Sequence, residues 1–176
     1  MDYINYLLYY SFNFFLYSFV GWILENGFCY FKKKHFQEDG FLFLPLKPMY
    51  GIAMTIIISL YYNISSNIFF LIGICFFVPT TVEYITGVLM RKYFNKNYWD
   101  YSDVKYNIQG IICLRFSVYW IFLTVIGVKL FQPYVVNMIY KQFISLWIII
   151  IPVLMLALIM DLIFTMISFR DTDNIE

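Results

Sequence analysis

The chain reads as five apolar runs separated by short polar breaks, and each run predicts a helix. The first, residues 4–31, is long enough to cross about 30 Å of hydrocarbon with some tilt, and it stops at Lys32, Lys33 and Lys34. The second, residues 50–62, offers only about 20 Å of helix. It follows an apolar stretch, Phe41 to Met49, broken at Pro45 and Pro48, so it is expected to be re-entrant at its start or tucked among neighbours. The third, residues 67–90, carries Pro79 near its middle, where the missing amide donor permits a kink. The fourth, residues 108–131, is expected to end at Pro133, and the fifth, residues 143–169, contains Pro152 and precedes an acidic tail from Asp171 to Glu176. The expectation is an all-α, polytopic membrane bundle of about five transmembrane helices forming one integral membrane domain over residues 1–176.

Four ionisable side chains interrupt these runs: Glu25, Glu83, Arg115 and Asp161. With the boundaries above, each lies within about 10 Å of the middle of its own span, displaced to the same side. A charge in hydrocarbon is costly, so a shared polar intramembrane site is expected where the four meet. Glu83 shares a helical face with Pro79, Thr80, Thr86 and Gly87, and Asp161 shares one with Ala157, Thr165 and Ser168. Such small and polar stripes are typical of closely packed membrane helices, and Gly21 gives the Glu25 face the same character. Three carboxylates and one guanidinium leave two negative charges to compensate, by protonation, a bound cation or water. Two readings stay open: a binding or transport site, and a structural lock in which Arg115 pairs with Glu25 or Glu83.

Two segments stand over this layer. Gly40 to Gly51, with Pro45, Pro48 and Tyr50, has the proline and glycine spacing of an irregular backbone at a helix entry, which at membrane depth lines a cavity or is buried in protein. It also reads as a plain loop into the second helix. Tyr98 to Ser102, including Trp99, Asp100 and Tyr101, follows Arg91, Lys92 and Lys96 and precedes Asn107 and Gly110. Aromatics of this kind form interfacial belts, while Asp100 could hold a basic group of a vestibule or partner.

Charge sets the orientation. Lys32, Lys33, Lys34, Lys47, Arg91, Lys92, Lys96, Lys105 and Arg170 fall on one side, and Lys129 and Lys141 on the other. The lysine-rich side is therefore expected to be cytoplasmic, with the N-terminus outside and the C-terminus inside. Composition agrees with lipid as the main solvent: 62% of residues are hydrophobic, 23% aromatic and only 13% charged. A net charge of +1 gives no reason to expect nucleic acid as a partner. Cys29, Cys75 and Cys113 are too far apart for a zinc site, His35 is a lone histidine in the lysine loop, and neither a metal nor a cofactor is implied. The sequence has no G-x-x-x-x-G-K-[ST], H-E-x-x-H or G-x-S-x-G run, so no enzymatic activity is expected from a recognisable motif.

Several short motifs combine. Gly21-Trp22-x-x-Glu25, Gly40-Phe41-Leu42 with Pro45, Pro48, Tyr50 and Gly51, Glu83-Tyr84 with Thr86-Gly87, Trp99-Asp100-Tyr101-Ser102, Asn107-x-x-Gly110 and Cys113-Leu114 together resemble the CmpB-like family of small bacterial membrane proteins, ABC-transporter type IV permeases. The resemblance spans about residues 18–120. The chain departs from the family pattern at Leu44, Arg91, Tyr98 and Ile111, where relatives tend to carry Gly, a nearby acidic residue, Trp and a basic residue; the basic charge is moved one turn to Arg115. The resemblance implies a permease-like subunit of the cell membrane that works with an ATPase subunit or another membrane protein, and a narrow five-helix bundle suggests a homo-oligomer. The residues also accommodate a membrane enzyme acting on lipid headgroups, with Glu83 or Asp100 as base and lysines holding phosphate. A scaffold or regulatory subunit without a substrate is the third reading.

Overall fold

A computed structural model describes residues 3–34 and 41–173, with side chains omitted for Lys32, Lys33 and 170–173. Gly40 and His35 lie outside the described residues, as does the end of the acidic tail. The elements are α1 (Tyr3–Lys33), α2 (Pro48–Asn63), α3 (Ile68–Phe94), a two-stranded antiparallel hairpin of β1 (Asn107–Ile108) and β2 (Ile112–Cys113), α4 (Leu114–Ile126), a π-helical segment (Gly127–Val136), α5 (Asn137–Gln142) and α6 (Ile144–Asp173). The protein is a helical membrane bundle.

Among the described residues four helical stretches are long and apolar enough to cross a membrane: Tyr3–Phe31, Ile68–Phe94, Leu114–Gln142 and Ile144–Phe169. They carry many exposed large apolar side chains, as on α6 from Ile148 and Ile149 through Leu156 to Ile163, which suits lipid and not water. At 16 residues α2 is the short element that was expected, and it begins at Pro48 instead of Tyr50. Proline fits the first helical position, where its missing N–H has no intrahelical partner to lose.

Two boundaries differ more. The fourth helix begins at Leu114, not near 108, because Tyr106, Gln109 and Gly110 take positive φ angles of 57°, 55° and 67° and turn residues 107–113 into a hairpin. It then runs through Pro133 instead of ending there. Proline lacks an N–H to donate and clashes with the carbonyl four residues back, and the wider turns of the π segment relieve the clash; the Asn137 N–H reaches back five residues to the Gln132 carbonyl.

The chain divides into two compact units, residues 1–51 with 140–176, and residues 52–139. In the first, α1 packs along α6. Phe12 fixes part of that contact, with ring centroids 5.3 Å from Tyr140 and 4.6 Å from Trp147. In the second, α3 turns Leu71, Ile74, Cys75, Pro79, Glu83 and Gly87 inward, a single buried stripe at helical spacing, and packs on α4.

Candidate functional site

In the first unit, the irregular segment before α2 is bound to both flanking long helices by carboxylates. Asp161, on α6 and 6% exposed, accepts from the backbone N–H groups of Phe43 (3.1 Å) and Leu44 (2.8 Å), and Thr165 one turn on lies against the same carboxylate. Glu25, on α1, accepts from Lys47 Nζ at 2.9 Å and from the Tyr50 hydroxyl at 3.3 Å. The Lys47 backbone N–H adds a bond to the Ser18 carbonyl at 3.0 Å. Backbone that is not helical must find partners within the protein at membrane depth, and these contacts supply them. Two glycines let the segment come this close. A Cβ on Gly21 would run into the Tyr50 ring, and one on Gly51 into the Phe14 carbonyl and Ser18 hydroxyl. Of the expected mouth residues here, Tyr50 and Gly51 touch this arrangement directly, Pro48 opens α2, and Pro45 is exposed.

In the second unit Glu83 is 3% exposed. One carboxylate oxygen accepts from the Tyr101 hydroxyl at 3.0 Å and the other from Trp120 Nε1 at 2.9 Å. Tyr101 belongs to a cap, residues 95–113, which stands on the ends of α3 and α4. Its other expected residues all hold that cap together. Trp99 Nε1 donates to the Ile111 carbonyl at 2.8 Å, and the Tyr101 N–H to the Gly110 carbonyl at 2.8 Å. Asn107 donates to the Val104 carbonyl at 2.8 Å and accepts from the Gly110 N–H at 3.0 Å. Asp100 accepts from the Ser102 hydroxyl at 2.6 Å and its N–H at 2.9 Å; these two bonds, with Arg91 a smaller influence, hold its carboxyl below the ordinary aspartate range. Arg91 locks the cap to α3 through Asn97 Oδ1 at 2.6 Å and the Gln109 carbonyl. Gly87 leaves the space on α3 that Ile111 fills.

The fourth charge stands apart from this. Because α4 starts at Leu114, Arg115 is its second residue and lies exposed at the end of the span instead of near its middle. Its Nε donates to the Tyr119 hydroxyl at 3.1 Å and its guanidinium lies 5.7 Å from that ring. Glu25 and Asp161 thus belong to one unit, and Glu83 and Arg115 to the other. Within the second unit Arg115 is held by Tyr119 and Glu83 by Tyr101 and Trp120.

Lys129 was expected at the outer end of the fourth helix, which was to stop before Pro133. The continuation of the helix through Pro133 places it in the π segment, where its ammonium bonds the Tyr61 hydroxyl and sits 4.8 Å from that ring. Gln132, fully buried in the same segment, donates to Asn137 at 3.2 Å. A helix through Pro133 was the signal needed to find this polar group, and residue types alone do not carry it. Among the described residues no three His, Cys, Asp or Glu side chains gather as a metal site would require.

Residues 12–166 match the family described as putative ABC-transporter type IV. The chain belongs to that family. No curated protein and no solved structure matches it.

Proposed function

We propose that the chain is a permease-like subunit of an ABC-type transporter, crossing the cytoplasmic membrane several times with the N-terminus outside and the C-terminus inside. The observation that carries this is the cap over residues 95–113. It is an ordered, charge-bearing element, with Lys96, Asp103 and Lys105 exposed, and its Tyr101 reaches a buried carboxylate on α3. A permease without a nucleotide-binding motif of its own needs a docking element that meets a separate ATPase and transmits its movement to the helices, and the internally hydrogen-bonded cap supports that role. In this reading Glu83 is the polar intramembrane residue that docking would shift. The bundle works as an oligomer or with another membrane protein. Mass spectrometry of the protein extracted gently with its native lipid tests the reading. An ATPase in fixed stoichiometry is expected, and a chain that emerges with no ATPase would overturn it.

One observation favours a second reading, a scaffold or regulatory subunit without a substrate. Asp161 and Glu25 spend their oxygens on the segment before α2, which is what structural side chains do. If function survives replacement of Glu25, Glu83, Arg115 and Asp161 by well-packed neutral residues, the scaffold reading stands and the permease reading falls.

A further inference from the structure

A groove of about 570 Å³ opens in the second unit between the 103–106 turn and the first two turns of α4. That is the size of a small-ligand site. Its polar side is made by Lys105, Arg115 and the Tyr119 hydroxyl, with Asp103 as its only carboxylate, so the lining carries a net charge of +1 (two cations less one anion). Its apolar side is Leu114 and Val118, 48% and 37% exposed, and the same face continues to Phe122, 66% exposed.

Arg115 is set for an anion. Tyr119 takes its Nε–H and flanks its guanidinium, which orders a side chain that lines the groove, and a guanidinium's terminal N–H groups form a planar fork suited to a phosphate. Lys105 is exposed and lines the same groove, adding a second positive charge to it. The apolar run of the span begins at Leu114, so this pair of charges sits at the level where hydrocarbon gives way to headgroups. An exposed apolar wall descending from two cations at that level has the form of a phospholipid: phosphate above, acyl chain below.

We infer that this groove binds the headgroup of an anionic phospholipid, its phosphodiester between Arg115 and Lys105, its headgroup hydroxyls toward Asp103 and an acyl chain along Leu114, Val118 and Phe122. The site is separate from Glu83 and does not depend on any transport activity. It requires only that α4 meet lipid.

The full chain in detergent is titrated with phosphatidylglycerol, with phosphatidylcholine of the same acyl chains, and with inorganic phosphate, and bound molecules are counted by native mass spectrometry. Phosphatidylglycerol should bind at least tenfold more tightly than phosphatidylcholine. Arg115→Gln and Lys105→Gln should each remove most of that preference, while Lys92→Gln, which changes another exposed cation near the cap, should leave it intact. Equal binding of the two lipids, or an unchanged preference in both groove variants, overturns the assignment. Inorganic phosphate binding as tightly as phosphatidylglycerol, and lost with Arg115, makes the ligand a free phosphate and overturns the lipid assignment too. If Arg115→Gln fails to fold, Lys105→Gln alone decides by the same criterion.

Discussion

Replacing Tyr101 with Phe isolates one bond. The ring stays, and with it the stack on Phe116 at 4.7 Å, while the hydroxyl that donates to Glu83 at 3.0 Å is lost. Glu83 is 3% exposed, so water is a poor substitute. A hydrogen bond to a charged group contributes about 1.5–3 kcal/mol, and its loss beside a buried acceptor falls in the same range. At about 1.4 kcal/mol per factor of ten, the population with the cap opened from α3 should rise by about 10- to 150-fold. Hydrogen exchange reads this directly, because the Tyr101 N–H is bonded to the Gly110 carbonyl at 2.8 Å and exchanges only when the cap opens. Trypsin cleavage at Lys96 and Lys105 should accelerate in parallel. A change of less than threefold in both readouts for Tyr101→Phe would mean that Glu83 does not hold the cap, and the coupling from cap to helix argued above would fail.

Other expectations follow from the same contacts. The Lys47–Glu25 pair is partly exposed, at 15% and 27%, so it should contribute about 1 kcal/mol, above the median for surface pairs. A double-mutant cycle of Lys47→Met and Glu25→Gln, read by denaturant unfolding in micelles, checks this, and a coupling below about 0.3 kcal/mol refutes it. Gly51→Ala should destabilise by about 1–3 kcal/mol, because the added methyl meets the Phe14 carbonyl on the backbone, while Gly27→Ala, inside α1 with open space around it, should not destabilise by the same measurement and should gain up to about 1 kcal/mol. For Asp100 the folded carboxyl titrates below its unfolded value of about 3.9, so its contribution is complete above that value and is lost as pH falls through the lower folded value. Exchange from the cap amides should therefore be steady near neutral pH and rise on acidification below about pH 4, once corrected for intrinsic exchange, and Asp100→Asn should flatten that rise.

The helical class and the family were legible because long apolar runs have few alternatives and because the short motifs, weak singly, fall in a fixed order along residues 18–120. The register of the charges was not. It followed from treating each run as a straight helix between polar breaks, and the run from residue 108 does not begin as a helix. Apolar Ile108, Ile111 and Ile112 read as the start of a span, whereas the turn is decided by positive φ at Tyr106, Gln109 and Gly110, of which only the glycine announces itself. That shift of six residues, about 9 Å of helix, takes Arg115 from the expected layer to the end of its span. Pro133 misled for the opposite reason: proline stops an α-helix, but widened turns can carry the helix past it, and no residue type marks that choice.

What the charges do also depends on partners that sequence spacing does not pair. Lys47 and Glu25 are 22 residues apart, Tyr101 and Glu83 are 18 apart, and Asp161 takes backbone N–H groups 117 and 118 positions away. In each case a carboxylate on a long apolar helix receives donors from an irregular segment: the stretch before α2 for Glu25 and Asp161, the cap for Glu83. A membrane protein that folds non-helical backbone against its helices must satisfy that backbone internally; Asp161 does so for Phe43 and Leu44, while Glu25 and Glu83 hold side chains, with stronger bonds than neutral acceptors make. The three acids, Glu83 and Asp161 buried and Glu25 partly exposed, are thus best understood first as the fastenings of two irregular segments, which makes their motion consequential. Any partner that draws the cap away from α3 must strip the Tyr101 donor from Glu83, and in the reading proposed above the cost of that step would couple the cap to α3.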